Sequence, residues 1–245
     1  MLREASTCGE CGSTVRFRAV VAAFDEQVLK GAPRRPELRG IGFSDPDTYA
    51  RRLAQSTTYY NSWYHLSGED LTDLGTFRGQ RYDFVVCSEV MEHVDRPVET
   101  SFSTLFELLR PGGVLIMTTP TYEGAATVEH FPPLTHYEVI NQAGSWVLRG
   151  TAADSVPYEA RGLTFHGGEG ATLEMRLYAA GDIQRHLDHA GFQSVEEQNL
   201  DRPNLGILWS ATSEVTHSPA PGLVGGGHSG VWVAQRPTTT VSSPG

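Results

Sequence analysis

Three cysteines in 245 residues are too few for a disulfide framework, and a reducing cytoplasm is the expected setting. No apolar run approaches the ~20 residues of a membrane span. The opening MLREASTCGE carries no apolar signal core. Basic residues are scarce too: 19 Lys and Arg stand against 29 Asp and Glu, a formal charge of −10. A surface of that sign repels a nucleic-acid backbone and an anionic membrane, so neither is expected as a partner. Cys8 and Cys11 have the spacing of a zinc knuckle, yet a second pair is missing, and only Cys87 remains. A turn or a degenerate knuckle is the better reading, and no metal is assigned.

What is present suits a packed domain. Hydrophobic residues make up 39% of the chain and charged residues 20%, enough for a core. The richest stretch is Tyr82 to Pro120. Asp83-Phe84-Val85-Val86-Cys87 is a short apolar run that suits a strand buried on both faces. Phe102, Leu105, Phe106 and Leu109 recur at helical spacing. Pro111-Gly112-Gly113 stops that helix, and Val114-Leu115-Ile116-Met117 reads as a second buried strand. Strand, crossover helix and strand make one βαβ unit of a parallel sheet. Ligands of such sheets sit at the carboxyl ends of the strands, here Ser88, Glu89 and His93, then Thr118 and Thr119.

The same stretch, YDFVVCSEVMEHV followed by LFELLRPGGVLIMTTP, resembles the class I S-adenosylmethionine-dependent methyltransferases. The resemblance implies a Rossmann-like, doubly wound α/β fold with a mainly parallel sheet. It also implies S-adenosylmethionine as cofactor and methyl transfer to nitrogen or oxygen of a small molecule or sugar. The chain departs from the family in lacking an Asp-x-Gly-x-Gly-x-Gly loop; its nearest glycine pair is Gly40-Ile41-Gly42. By position, LRGIGFSDPDTYARRLA resembles the family's second strand, which leaves Cys8 to Lys30 in place of the glycine loop and first helix. Gly40, Gly42, Ser44, Asp45, Asp70, Ser88 and Glu89 then border the donor. Asp45 is either the carboxylate that meets the ribose or an N-cap ahead of Pro46. Asp70 is either the adenine-edge carboxylate or an exposed loop acid.

Elsewhere, Arg16 to Lys30 reads as a helix, Leu38 to Phe43 and Thr57 to Tyr64 as strands, and Asp182 to Ala190 as a helix closed by Gly191. Phe192 to Val195 and Val231 to Ala234 read as later strands. The pattern is irregular from about 121 to 175, longer than a plain connection. We read this as an insertion after the fifth strand, with Trp146–Leu148 and Leu163–Phe165 as a hairpin. Residues 1–237 form one domain on this reading, and 238–245, rich in Thr, Ser and Pro, form a disordered tail. The insertion carries Glu129-His130-Phe131-Pro132 and Phe165-His166-Gly167-Gly168-Glu169-Gly170, then Leu173-Glu174-Met175-Arg176. Similar blocks occur in methyltransferase-like bacterial proteins. His93, His130 and His166 are the candidate bases; His130 and His166 are also readable as metal ligands or as structural histidines. A non-catalytic binding module of the same fold, with donor binding lost, is the alternative.

Overall fold

The computed structural model describes residues 7–168, 170–211, 215–217, 224–228 and 230–238. Glu169 and, Thr238 apart, the tail predicted from 238 lie outside the described residues.

The Thr14 hydroxyl accepts from the Phe17 N–H and caps helix α1 (Val15–Phe24). The helix runs on as a π-helical turn, Asp25–Leu29, closed by Lys30 in the left-handed conformation. Strand β1 (Arg39–Phe43), helix α2 (Asp47–Ser56) and strand β2 (Thr58–Ser62) follow. The strand expected to reach Tyr64 stops at Ser62. There the Leu66 and Ser67 N–H groups turn back to the Trp63 carbonyl, forming the short helix α3 (Tyr64–Ser67). The predicted βαβ unit is present as β3 (Tyr82–Ser88), α4 (Val98–Leu108) and β4 (Leu109–Thr118), but Leu109, expected in the helix, is already extended, and Pro111-Gly112-Gly113 lies within β4 rather than stopping the helix.

Short strands then fill the chain up to the next helix. They are β5 (Thr121–Tyr122), β6 (Val128–Glu129), β7 (Leu134–Gln142), β8 (Ser145–Ala152), β9 (Pro157–Arg161), β10 (Phe165–His166), β11 (Thr172–Leu173) and β12 (Arg176–Ala179). The expected hairpin of 146–148 with 163–165 is not formed. Trp146 and Leu148 pair instead with Asn141 and Val139, and Phe165 pairs with Leu173. The turn responsible is Ala143-Gly144, both at positive φ, the two-residue geometry that matches strand twist. Helix α5 (Ala180–Ala190) ends at Gly191 in the left-handed conformation. Strands β13 (Gln193–Gln198), β14 (Val215–His217), β15 (Val224–His228) and β16 (Val231–Gln235) close the sequence of elements.

Six strands form the central sheet in the order β13-β16-β4-β3-β1-β2. The pairs β1–β2, β1–β3 and β3–β4 are parallel, and β16 runs against both its neighbours. Side chains alternate between two apolar layers, as the strand period requires. Val85, Leu115 and Met117 pack with Phe102, Leu105 and Leu108 of α4 and with Ile183 and Leu187 of α5. Phe84, Val86, Val114 and Ile116 pack with Val20 and Phe24 of α1 and Leu53 of α2. The sheet is therefore mixed, mostly parallel and Rossmann-like.

The strand order corrects one expectation. In the doubly wound order the first strand lies beside the fourth, and the direction of winding reverses between them. Here β1 lies beside β3, so Arg39–Phe43 takes the first place, not the second, and β2 takes the second. The chain from Cys8 to Lys30 precedes the sheet, and the loop after Gly42 stands where the glycine-rich loop was sought.

Gly40 sits against Phe84: a Cβ there would lie 2.1 Å from the ring. Gly40→Ala is expected to destabilise the fold by about 1–3 kcal/mol, read from the urea midpoint. An unchanged midpoint would mean that Phe84 has room to move.

Candidate active site at the carboxyl edge

The winding reverses between β1 and β3, and the backbone is unusual at both strand ends. Ser44 and Glu89, neither a glycine, adopt positive φ of 55° and 58°. Such residues cost energy and cluster where the backbone has a functional shape to hold. The Arg16 guanidinium, from the first turn of α1, donates to Ser88 Oγ at 2.7 Å, and Ser88 Oγ is 2.7 Å from Thr118 Oγ1.

Asp45 is the hub of a buried polar network at this edge. Its N–H donates to Asn61 Oδ1 at 3.0 Å and its carbonyl accepts from Asn61 Nδ2 at 2.8 Å. Its two carboxylate oxygens accept from the hydroxyls of Tyr49 and Tyr59, and the residue is 1% exposed. It does not cap α2: Pro46 is the cap residue and makes no side-chain bond. Burial raises the Asp45 pKa to about 6, against the downward pull of both tyrosines and of Arg16. Gly42 makes the hub possible, since a Cβ would stand 1.8 Å from the Tyr59 hydroxyl. Gly40 lies within β1, packed on Phe84. Asp70 shapes its own loop, accepting from the Thr72 N–H and hydroxyl, both at 2.8 Å. The carboxylate nearest the end of β2 is Glu69, which accepts from the Ser62 hydroxyl at 3.0 Å. The sequence offers no signal that singles out Glu69 beside Asp70, since its partner Ser62 is set by the end of β2.

The second cluster forms where the insertion meets the loop after β3. Met175 N–H donates to the Glu92 carbonyl at 2.8 Å, and buried Arg176 donates to the carbonyls of Met91 (3.0 Å) and Val94 (2.6 Å). These bonds bring Glu92, His93, His130, His166 and Glu174 together. Glu174 joins two imidazoles: its Oε1 lies 2.8 Å from His130 Nε2 and its Oε2 2.8 Å from His166 Nε2. Glu92 Oε1 stands 3.4 Å from His166 Nδ1 and 3.7 Å from His93 Nε2. His93 Nδ1 is 2.7 Å from the Leu173 carbonyl, and its ring meets that of His166 edge to face at 4.7 Å. Burial lowers the His166 pKa, but Glu174 and Glu92 together raise it to about 9. Burial raises that of Glu174, and His130 and His166 pull it down to about 2. In this state the pair is imidazolium and carboxylate at neutral pH.

All three candidate histidines thus share one cluster, while Ser44, Asp45 and Ser88 share the crevice. The two meet at consecutive residues of β4 and its end: Thr118 touches Ser88, and the Thr119 hydroxyl donates to Glu92 Oε2 at 2.9 Å. Among the described residues, Glu92, His93 and His166 are also the one group whose donor atoms have metal-ligand spacing, within 4.8 Å of one another. Cys8 and Cys11 are free thiols, and Cys11 Sγ lies 3.1 Å from Ser13 Oγ.

A model of the methyltransferase domain family matches residues 35–197. The chain belongs to that family, within the class I S-adenosylmethionine-dependent methyltransferase superfamily. Solved structures are similar at low identity. An S-adenosylmethionine-dependent methyltransferase of Clostridium acetobutylicum is 9% identical, with 89% of this chain and 98% of that one covered and a TM-score of 0.44. CalS10, an amino pentose methyltransferase of Micromonospora echinaspora, is 13% identical over 92% of each chain, with a TM-score of 0.45. A phosphoethanolamine N-methyltransferase of Haemonchus contortus is 11% identical over 89% of this chain and 52% of that one, with a TM-score of 0.46. No curated protein matches the chain.

Asp45 carries a pH signature. Its folded pKa of about 6 lies above the ordinary 3.8, so the unfolded chain releases this proton first. The contribution is fully present below the unfolded pKa and is lost as pH rises through the folded one, at roughly 1.4 kcal/mol per unit between them. Asp45→Asn is expected to flatten the fall in urea midpoint between about pH 4 and 6. Parallel wild-type and variant curves would contradict the buried-acid assignment.

Proposed function

We propose that this methyltransferase holds S-adenosylmethionine in the crevice between β1 and β3. The acceptor, a nitrogen or oxygen of a small molecule or sugar, lies against the histidine–glutamate cluster. The observation that carries this reading is the meeting of the two networks at Thr118 and Thr119, which sets a buried cation and a proton-handling cluster side by side at one strand end.

The crevice fits the donor by its chemistry. A carboxylate of an amino acid calls for a cation, and Arg16 supplies one from a buried position. The ribose diol calls for a carboxylate at a strand end, and Glu69 stands at the end of β2. On this reading Asp70 meets the adenine edge from its loop, and Ser44, Ser88 and Glu89 meet the methionine end. Asp45, saturated by two tyrosines, shapes the crevice rather than opening onto it. When bound, the donor supplies an electrophilic methyl group. The chain's part is to align the acceptor and take its proton; His93 and His130 are the candidate bases, and Glu92, Glu174 and the already protonated His166 hold them in place. The formal charge of −10 and the lack, among the described residues, of a helix long and apolar enough to cross a membrane favour a small soluble acceptor. Residues 1–237 act as one domain on this reading, with the insertion covering the acceptor side.

A second reading has an observation of its own. Tyr59 and Asp45 fill the space over Gly42 that a glycine-rich loop would leave open, as a binding module without donor would require. Titration with S-adenosylhomocysteine decides: the first reading expects a raised melting temperature, and its absence favours the second. Arg16→Met should weaken that binding more than tenfold, the worth of a charge-assisted hydrogen bond of about 1.5–3 kcal/mol. Once labelled donor and a panel of sugars, amines and alcohols identify an acceptor, replacing the histidines one at a time should cut turnover by about 10²–10⁴. Donor affinity should stay nearly constant. Full turnover in all three variants would remove the cluster from catalysis.

A further inference from the structure

We propose that Glu92, His93 and His166 bind a divalent first-row transition-metal ion of the zinc class, whose open position takes an oxygen of the acceptor. This rests on the reading above for the acceptor's place, while metal binding is testable apart from it.

The donor spacing comes first. Ligands of a tetrahedral ion at about 2.0–2.1 Å stand about 3.4 Å from each other. Glu92 Oε1 lies 3.4 Å from His166 Nδ1 and 3.7 Å from His93 Nε2. All three donor atoms fall within 4.8 Å of one another, so small side-chain shifts close the set. Two imidazoles and one carboxylate suit zinc or a similar ion and leave a position free.

The second observation is what holds each ligand from behind. A metal-binding histidine gives its other N–H to a carbonyl or carboxylate, which fixes the tautomer and aims the lone pair. His93 does so through Nδ1 to the Leu173 carbonyl at 2.7 Å, which turns Nε2 toward Glu92. His166 Nε2 stands at ion-pair distance from Glu174 Oε2, 2.8 Å, which leaves Nδ1 toward the same Glu92 oxygen. Glu174 is itself held by His130 at 2.8 Å. Glu92 accepts the Thr119 hydroxyl on Oε2 at 2.9 Å, which leaves Oε1 toward both rings. The Glu92 side chain is 0% exposed, His93 10% and His166 17%, so the histidine side is the more open one. An ion there would replace a proton on His166 and would ease loss of a proton from a ligated hydroxyl, released to solvent on the more open histidine side. That chemistry selects an oxygen acceptor over an amine, and His130 and Glu174 act as positioning residues.

The rival is an ion-free cluster in which a protonated His166 bridges Glu92 and Glu174. Metal analysis of the purified full chain, followed by chelator stripping and titration with Zn²⁺ and Co²⁺, separates the two. The proposal expects near-stoichiometric binding, visible Co²⁺ absorption bands and a higher melting temperature with Zn²⁺. Glu92→Gln and His93→Gln, checked for folding by circular dichroism and by unchanged S-adenosylhomocysteine affinity, should weaken binding about a hundredfold or more. Cys8→Ser combined with Cys11→Ser should leave it unchanged. Loss of the metal with the cysteines alone, or no binding of micromolar Zn²⁺ between pH 7 and 8, overturns the site. If S-adenosylhomocysteine binds and metal does not, this inference fails while the methyltransferase reading stands. If metal binds and S-adenosylhomocysteine does not, the acceptor role given to the ion fails.

Discussion

A guanidinium without solvent must find its acceptors inside the protein, and Arg176, at 0% exposure, finds them in two places. The Met91 and Val94 carbonyls belong to the loop after β3, and Glu129, 3.0 Å from Nε, belongs to the insertion. One side chain therefore ties β12 and β6 to the carboxyl edge of the sheet. With the Met175 N–H to Glu92 carbonyl bond, that attachment assembles the histidine–glutamate cluster. His130 is next to Glu129, Glu174 is two residues before Arg176, and His166 lies on the strand that pairs with Thr172–Leu173. An insertion docked elsewhere would leave Glu92 and His93 on a bare loop.

The carboxyl edge thus holds two buried polar networks of different character. Around Asp45 the partners are neutral hydroxyls and an amide, with Arg16 supplying charge from nearby. Burial wins there, and the carboxyl is pushed toward neutrality. Around Glu174 the partners are imidazoles at 2.8 Å, and attraction outweighs the same burial. Two acids on one edge are moved in opposite directions by what touches them, so one network is suited to hold shape and the other to handle protons or an ion. Each cluster is made of groups that would be costly if left unmet, so each fixes local geometry closely.

Local pattern made the order of the βαβ unit legible from Tyr82 to Thr118, because apolar runs are short-range signals, but not the boundary, since Pro111-Gly112-Gly113 lies within β4 and does not stop the helix. The strands at Arg39–Phe43 and Val231–Gln235 and the helix ending at Gly191 were legible for the same reason. The place of β1 in the sheet was not, since strand order is a tertiary fact and the glycine loop that marks it in this family is missing. The β7–β8 hairpin was hidden by a turn with alanine at a position of positive φ, where Asn, Asp or Gly would have announced it. The histidines and Glu129 stood out by composition. Their partnership did not, because His130 and Glu174 are 44 residues apart and are brought together by the pairing of β6 with β12, the His130 N–H to Met175 carbonyl bond and the Arg176 contacts, all of them tertiary.

The missing glycine loop has a structural explanation in Gly42. In a glycine-rich loop the absent side chains let backbone approach a ligand. Here the space over Gly42 is taken by the chain's own Tyr59 hydroxyl and Asp45 carboxylate. The glycine is still required, but for an internal contact. The bend that a string of glycines would allow is made instead by Ser44 at positive φ, its N–H bonded to the Ser62 carbonyl at 2.6 Å. A polar network has replaced backbone freedom as the means of turning the chain away from β1. That exchange trades a flexible loop for a fixed one, and it makes the shape of the crevice depend on Asp45, Tyr49 and Tyr59 together rather than on any single residue.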